Sequence, residues 1–231
     1  MDKIWYLKKI NIFKGLSEEE MHYIDHVSTM KHYAKKEPIF LPADPGDRVY
    51  LLKKGRVKIA RLSEEGKELI LAVLNTGEIF GEAAIFDTDA RSNMAETLED
   101  AYICEISKKD FEELLAKKPE LALRLTKLVG LRRQQLEMKI EDLIFRNVQG
   151  RLVHLLLNLM RSYGVKKDTG ILIDIKLTHA QIANLIGATR ETTTLYLNQL
   201  KTQGLLDFEK RKILVLKPQL LAKALEEPPS E

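Results

Sequence analysis

The 231-residue chain is 45% apolar, enough to bury one large or two modest cores, and its formal charge of only +3 is unevenly distributed. A single cysteine, Cys104, excludes an internal disulfide and an iron–sulfur cluster held within one chain. No apolar run approaches the roughly 20 residues of a membrane span and the N-terminus lacks a signal-peptide core, so a cytoplasmic protein without a membrane partner is expected.

In chain order, residues 1–30 read as helical. Ser17 is a cap before the acidic turn Glu18-Glu19-Glu20, and Met21, Ile24 and Val27 form an apolar face. From about Lys31 to Ile106 the texture changes to short apolar or alternating runs cut by turns such as Asp44-Pro45-Gly46-Asp47 and Lys53-Lys54-Gly55-Arg56. That spacing predicts an antiparallel β-barrel or jelly roll, with Cys104 as a small buried strand residue.

One loop of this region carries chemistry. Gly81-Glu82-Ala83-Ala84 can form a single helical turn whose first N–H groups suit an anion. Arg91 can fork onto two phosphate oxygens, Ser92 adds a hydroxyl donor, and Glu82 can accept from a ribose hydroxyl. The bland reading of the same residues is an ordinary turn with Glu82 and Arg91 paired to each other.

Helical texture returns at Ser107-Lys108-Lys109-Asp110, breaks near Lys118-Pro119, and is longest from about Glu120 to Phe145. Val129, Leu136 and Leu143 recur every seven residues with Ile140 between them, a short coiled-coil-like seam that Arg133 interrupts. A homodimer is expected, with a helix packed on its own barrel as the alternative. Asn147 marks a hinge before a helix from Val148 to Ser162.

The basic excess lies beyond that hinge: residues 151–231 carry 12 basic and 8 acidic residues, against 25 and 26 in residues 1–150. Thr178 with Gln181 makes a capping box for a helix whose apolar face is Ile182, Leu185 and Ile186. Gly187 supplies the turn, and Thr189 caps a second helix running to Gly204 that buries Leu195, Leu197 or Leu200. Arg190 and Glu191 fall in the exposed first turn of that helix, where a helix-turn-helix offers side chains to base edges. Two short runs follow around Lys210-Arg211-Lys212, a hairpin with a basic tip that can lie on a phosphate backbone. The pattern is a winged helix.

Gly46-Asp47, Gly55, Phe80-Gly81-Glu82, Arg91-Ser92 and Thr189-Arg190-Glu191-Thr192 together resemble the Crp/Fnr family of bacterial transcription regulators. The likeness runs from Phe13-Lys14-Gly15-Leu16 to about Leu216. It implies an α+β chain: a cyclic-nucleotide-binding jelly-roll barrel over 1–118, a dimerising central helix over 119–146 and a winged helix-turn-helix over 147–231. It further implies an activator-type regulator, gated by cyclic AMP or cyclic GMP rather than by an obligatory cofactor. Its partners would be a palindromic operator in double-stranded DNA, a second copy of the chain and RNA polymerase, which relatives touch near Met160 to Asp168.

Residue by residue, the resemblance assigns Gly81, Glu82 and Ala83 to the ribose end of the ligand and Arg91 and Ser92 to its phosphate. Arg190 and Glu191 match the base-reading pair, for guanine and for a cytosine amine. Thr178, Thr189 and Thr192 match backbone contacts, with His179, Thr194, Lys210, Arg211 and Lys212 as further DNA-binding candidates. Two positions depart from the family. Leu195 stands where its activator has a second base-contacting arginine, and Leu136 and Glu137 stand where a hydroxyl pair holds the adenine ring. An effector-independent regulator of the same fold is therefore the rival reading, with a nucleotide module acting through protein contacts a third. The five histidines all lie outside Tyr33 to Val153, which argues against a haem sensor, and no catalytic triad or metal cluster argues for an enzyme.

Overall fold

A computed structural model describes residues 11–13, 15–86 and 90–223. The helix expected over residues 1–10, Lys14 of the Phe13–Leu16 signature and the tail from Glu226 lie outside the described residues. The chain forms two compact units, Met1–Gln134 and Gln135–Glu231.

The first unit opens with a 3-10 turn at Asn11–Phe13 and helix α1 (Glu18–Val27), where Ser17 and Glu20 form a reciprocal capping box. Eight strands follow: β1 (Ser28–Tyr33), β2 (Pro38–Phe40), β3 (Arg48–Lys54), β4 (Val57–Leu62), β5 (Glu68–Leu74), β6 (Ile79–Phe80), β7 (Met94–Thr97) and β8 (Ala101–Ser107). They are not closed into a barrel. They form two four-stranded antiparallel sheets, ordered β1-β8-β3-β6 and β2-β7-β4-β5, in the manner of a jelly roll. The first strand begins at Ser28, a few residues before the expected change of texture at Lys31.

Strand β3 shows why the sequence reads as an apolar run rather than as alternation: both of its faces are covered. Tyr50 and Leu52 point to a cluster with Phe40, Val57, Phe80 and Ile103 between the sheets. Val49 and Leu51 point the other way, to Ile24, Cys104 and Ile106 and to the helices beneath. Those helices are α1, α3 (Lys108–Lys117, capped by Ser107) and the first turns of α4 (Pro119–Phe145), which supply Phe111, Leu114, Leu121 and Leu125. A four-residue helix α2 (Ala83–Phe86) lies in the loop after β6.

The second unit holds the end of α4, α5 (Val148–Tyr163, capped by Asn147), α6 (His179–Ile186), α7 (Arg190–Thr202), α8 (Pro218–Lys223) and a four-stranded sheet. That sheet, in the order β11-β12-β10-β9, comprises β9 (Gly164–Lys167), β10 (Gly170–Ile173), β11 (Leu206–Glu209) and β12 (Lys212–Val215). The β9–β10 hairpin was not anticipated, because every residue of β9 is exposed and carries no burial signal. No helix of the described residues is long and apolar enough to cross a membrane.

The apolar residues of α7 divide sharply. Leu197 and Leu200 are 0% and 2% exposed, whereas Leu195, expected among the inner residues, is 56% exposed. Leu197→Ala is therefore expected to lower the unfolding free energy by about 2–5 kcal/mol. Leu195→Ala should change it by less than about 0.5 kcal/mol. Urea denaturation of the full chain checks both.

Candidate ligand pocket and nucleic-acid interface

In the first unit the phosphate-loop candidates gather around Arg91. Its guanidinium lies 4.1 Å from the Phe40 ring centroid and 5.3 Å from that of Tyr50, within an aromatic group completed by Phe80. Its Nε donates to the Pro45 carbonyl at 3.2 Å and its Nη2 to the Arg48 carbonyl at 2.7 Å. Its Nη1 faces Gly81. That glycine has φ +74°, and a Cβ there would sit 2.8 Å from the Tyr50 ring and 3.1 Å from Nη1. Only glycine fits both the backbone angle and the space. Gly81 and Arg91 are thus brought together, while Ala83 and Ser92 are exposed.

Glu82 does not pair with Arg91. Its carboxylate accepts from Nη1 of Arg132 on α4 at 2.6 Å, and Nη2 of Arg132 donates to the Ile79 carbonyl at 2.6 Å. Arg132 also stands 3.7 Å from Glu78. Sequence reasoning missed Arg132: it sits fifty residues from Glu82 on a helix whose apolar period drew attention instead. Leu136 and Glu137 are both exposed, farther along α4 in the second unit.

Behind Arg91 lies a buried carboxylate. Glu105 accepts from Tyr33 Oη at 2.5 Å, Lys31 Nζ at 2.9 Å and Arg48 Nη1 at 2.5 Å. Burial alone would raise its pKa, but the three donors outweigh burial and hold it below the ordinary value. The same contact and burial push the Tyr33 phenol up. Arg48 therefore serves two groups, its side chain fixing Glu105 and its carbonyl fixing Arg91.

In the second unit both capping expectations hold. The Thr178 hydroxyl accepts from Gln181 N at 3.1 Å and Gln181 Oε1 accepts from Thr178 N at 2.9 Å; Thr189 Oγ1 accepts from Thr192 N at 3.2 Å. Gly187 caps α6 in the left-handed conformation at φ +62°. The helix expected to reach Gly204 ends at Thr202. Gly204 N then bonds the Lys201 carbonyl and Leu205 N the Leu200 carbonyl, a Schellman closure. On α6 the fully buried residues are Ile182, Ala183 and Ile186, with Leu185 only partly covered.

Arg190 and Glu191 are exposed in the first turn of α7. His179 Nδ1 bonds Thr194 Oγ1 at 2.9 Å, its ring 5.8 Å from that of Phe208, so these two candidates brace α6 against α7. The wing tip is smaller than expected. Lys210 and Arg211 alone form the two-residue loop, both with positive φ and both exposed, whereas Lys212 lies in β12 and is paired with Asp174.

The turn between α6 and α7 is tied to the end of α4. Arg151 on α5 donates to the carbonyls of Arg146 at 2.9 Å, Ile186 at 2.8 Å and Gly187 at 3.4 Å. Asp142 on α4 holds both His154 and, at 2.7 Å, Arg146.

Comparison with known proteins gives a match for each part of the chain. A family model described as "Cyclic nucleotide-binding domain" matches residues 30–118, and one described as "Crp-like helix-turn-helix domain" matches residues 150–224. The chain is 36% identical over 193 residues to a global nitrogen regulator of Nostoc, covering 83% of this chain and 86% of the relative. It is 28% identical over 223 residues to a CRP-like cAMP-activated global transcriptional regulator of Mycobacterium tuberculosis, covering 96% and 99%. A solved mutant of CooA from Carboxydothermus hydrogenoformans superposes with a TM-score of 0.76 at 26% identity, covering 92% of each chain.

Glu105 yields a pH prediction. A carboxylate depressed on folding stabilises the protein above its unfolded pKa, and that contribution is lost as pH falls through the folded value. The urea midpoint of the first unit should therefore fall from pH 7 toward pH 3, and Glu105→Gln should flatten that acid limb in the full chain.

Proposed function

The chain belongs to the Crp/Fnr family of DNA-binding transcription regulators, and from that premise we propose that it works as a cytoplasmic homodimer whose operator binding is gated by a cyclic nucleotide in the N-terminal unit. The observation that carries the gating is the Arg91 guanidinium set edge-on against Gly81, with Glu82 the next residue. A cyclic phosphate would take Arg91 and Ser92, and the ribose would take Gly81, Glu82 and Ala83. The base would meet Leu136 and Glu137. Glu82 is already held by Arg132, so a ribose arriving at Glu82 would be felt directly on α4.

The functional division assigns 1–118 to the sensor, 119–146 to the central helix and 147–231 to DNA. Dimerisation would use the exposed apolar residues of α4, among them Leu136 at 41%, Ile140 at 55% and Leu143 at 37%. On DNA, Arg190 would fork onto a guanine and Glu191 accept from a cytosine amine. Thr178, Thr189 and Thr192 would touch phosphates, with Lys210 and Arg211 on the flanking backbone. A two-fold dimer places its recognition helices about 34–36 Å apart, which calls for a palindromic operator. RNA polymerase would be met through the segment from Met160 to Asp168, and activation follows from that contact.

A second reading takes an effector that is not a cyclic nucleotide. It is favoured by the carbonyl partners already satisfying Arg91 Nε and Nη2, and by the acid at Glu137.

Calorimetric titration with cyclic AMP and cyclic GMP separates the two. One equivalent per protomer, lost in Arg91→Ala with the fold intact, is expected; silence from both nucleotides, or unchanged affinity in that variant, leaves the second reading. Arg190→Ala should cost about 1–3 kcal/mol and relax preference at one base pair per half-site. Loss of Lys210 or Arg211 should instead weaken all sequences alike and reduce the salt slope by about one. Fluorescence anisotropy across a salt series reads both effects.

A further inference from the structure

We propose that Leu195 is an apolar base reader, contacting the 5-methyl group of one thymine in each operator half-site. The inference rests on α7 being the recognition helix and adds a specificity-determining residue to it. Leu195 is 56% exposed on a helix whose other two leucines are 0% and 2% exposed, so packing within the unit does not require it. It follows Glu191 by four residues, one helical turn along the same face and about 6 Å farther down the axis. Asn198 continues the exposed strip three residues on. A helix that presents Glu191 to the floor of the major groove therefore presents Leu195 to an adjoining base step.

The chemistry of that floor leaves one partner. A leucine side chain has neither donor nor acceptor, and the thymine methyl is the one apolar group that a base pair shows in the major groove. A guanine–cytosine pair at that step would lose hydration of its polar edges, as any pair does beneath a leucine, with no methyl contact in return, which disfavours it. Thymine gains methyl–leucine contact instead, and both groups leave water. Selection at this position thus comes from apolar burial combined with exclusion of polar edges.

The test begins with selection of an operator from random duplexes by the full-length protein, with and without cyclic AMP. Anisotropy titrations then replace each operator thymine singly by deoxyuridine, which removes only the methyl. One position per half-site should lose about three- to fivefold in affinity with the wild-type protein, the scale of one buried carbon. Leu195→Ala should show no such penalty and select any base at that step, while keeping the preference set by Arg190. Leu195→Arg should move the preference at the same step to guanine. Identical deoxyuridine profiles for wild type and Leu195→Ala, or the same operator selected by both, would overturn the proposal. Binding of DNA by the wild-type protein without selection of any sequence would instead overturn the assignment of α7 as the reading helix.

Discussion

The guanidinium of Arg91 is the group around which the candidate ligand site of the first unit is arranged. Two aromatic rings flank it, two carbonyls fix it, and Gly81, which has no side chain, leaves room for Nη1. These constraints come from four separate segments of the chain. Phe40 is on β2, Tyr50 and the Arg48 carbonyl on β3, Pro45 in the turn between them, and Gly81 after β6. A cation placed by so many independent elements loses little freedom when an anion reaches it.

The Glu105 cluster extends this order one layer inward. Three donors meet a carboxylate that is itself almost fully covered, so the electrostatic gain is made where screening is weak. Arg48 shares its charge with that cluster and its carbonyl with Arg91. The interior of the sheet and the rim of the pocket are consequently one hydrogen-bonded system.

Local signals were legible in the sequence where neighbours in the chain are also neighbours in space. The capping boxes at Ser17 and Thr178, the left-handed Gly187 and the break at Pro119 all rest on interactions spanning three or four residues. What escaped was either distant in the chain or unmarked by any burial pattern. The pairing of Glu82 with Arg132 joins a loop to a helix fifty residues away, and nothing in either local pattern announces it. The β9–β10 hairpin escaped because its outer strand is solvated throughout, leaving no alternation to read. For Leu195 the period suggests an inner position and the family resemblance a base-facing one, and its exposure agrees with the second, because a recognition helix carries side chains on a face that packing does not use. Lys212 was grouped with its basic neighbours because a run of like residues hides where a two-residue loop stops.

The two-residue loop at the wing tip has a cost. Both Lys210 and Arg211 hold positive φ, a conformation that glycine or asparagine adopts easily and that an ordinary side chain resists by about 1–2 kcal/mol. A chain selected for hairpin stability alone would place Asn-Gly there. This one spends local stability to keep two long, exposed cations in the turn itself. The tip is in that sense a small reserve of conformational strain, held at the point where the chain reverses.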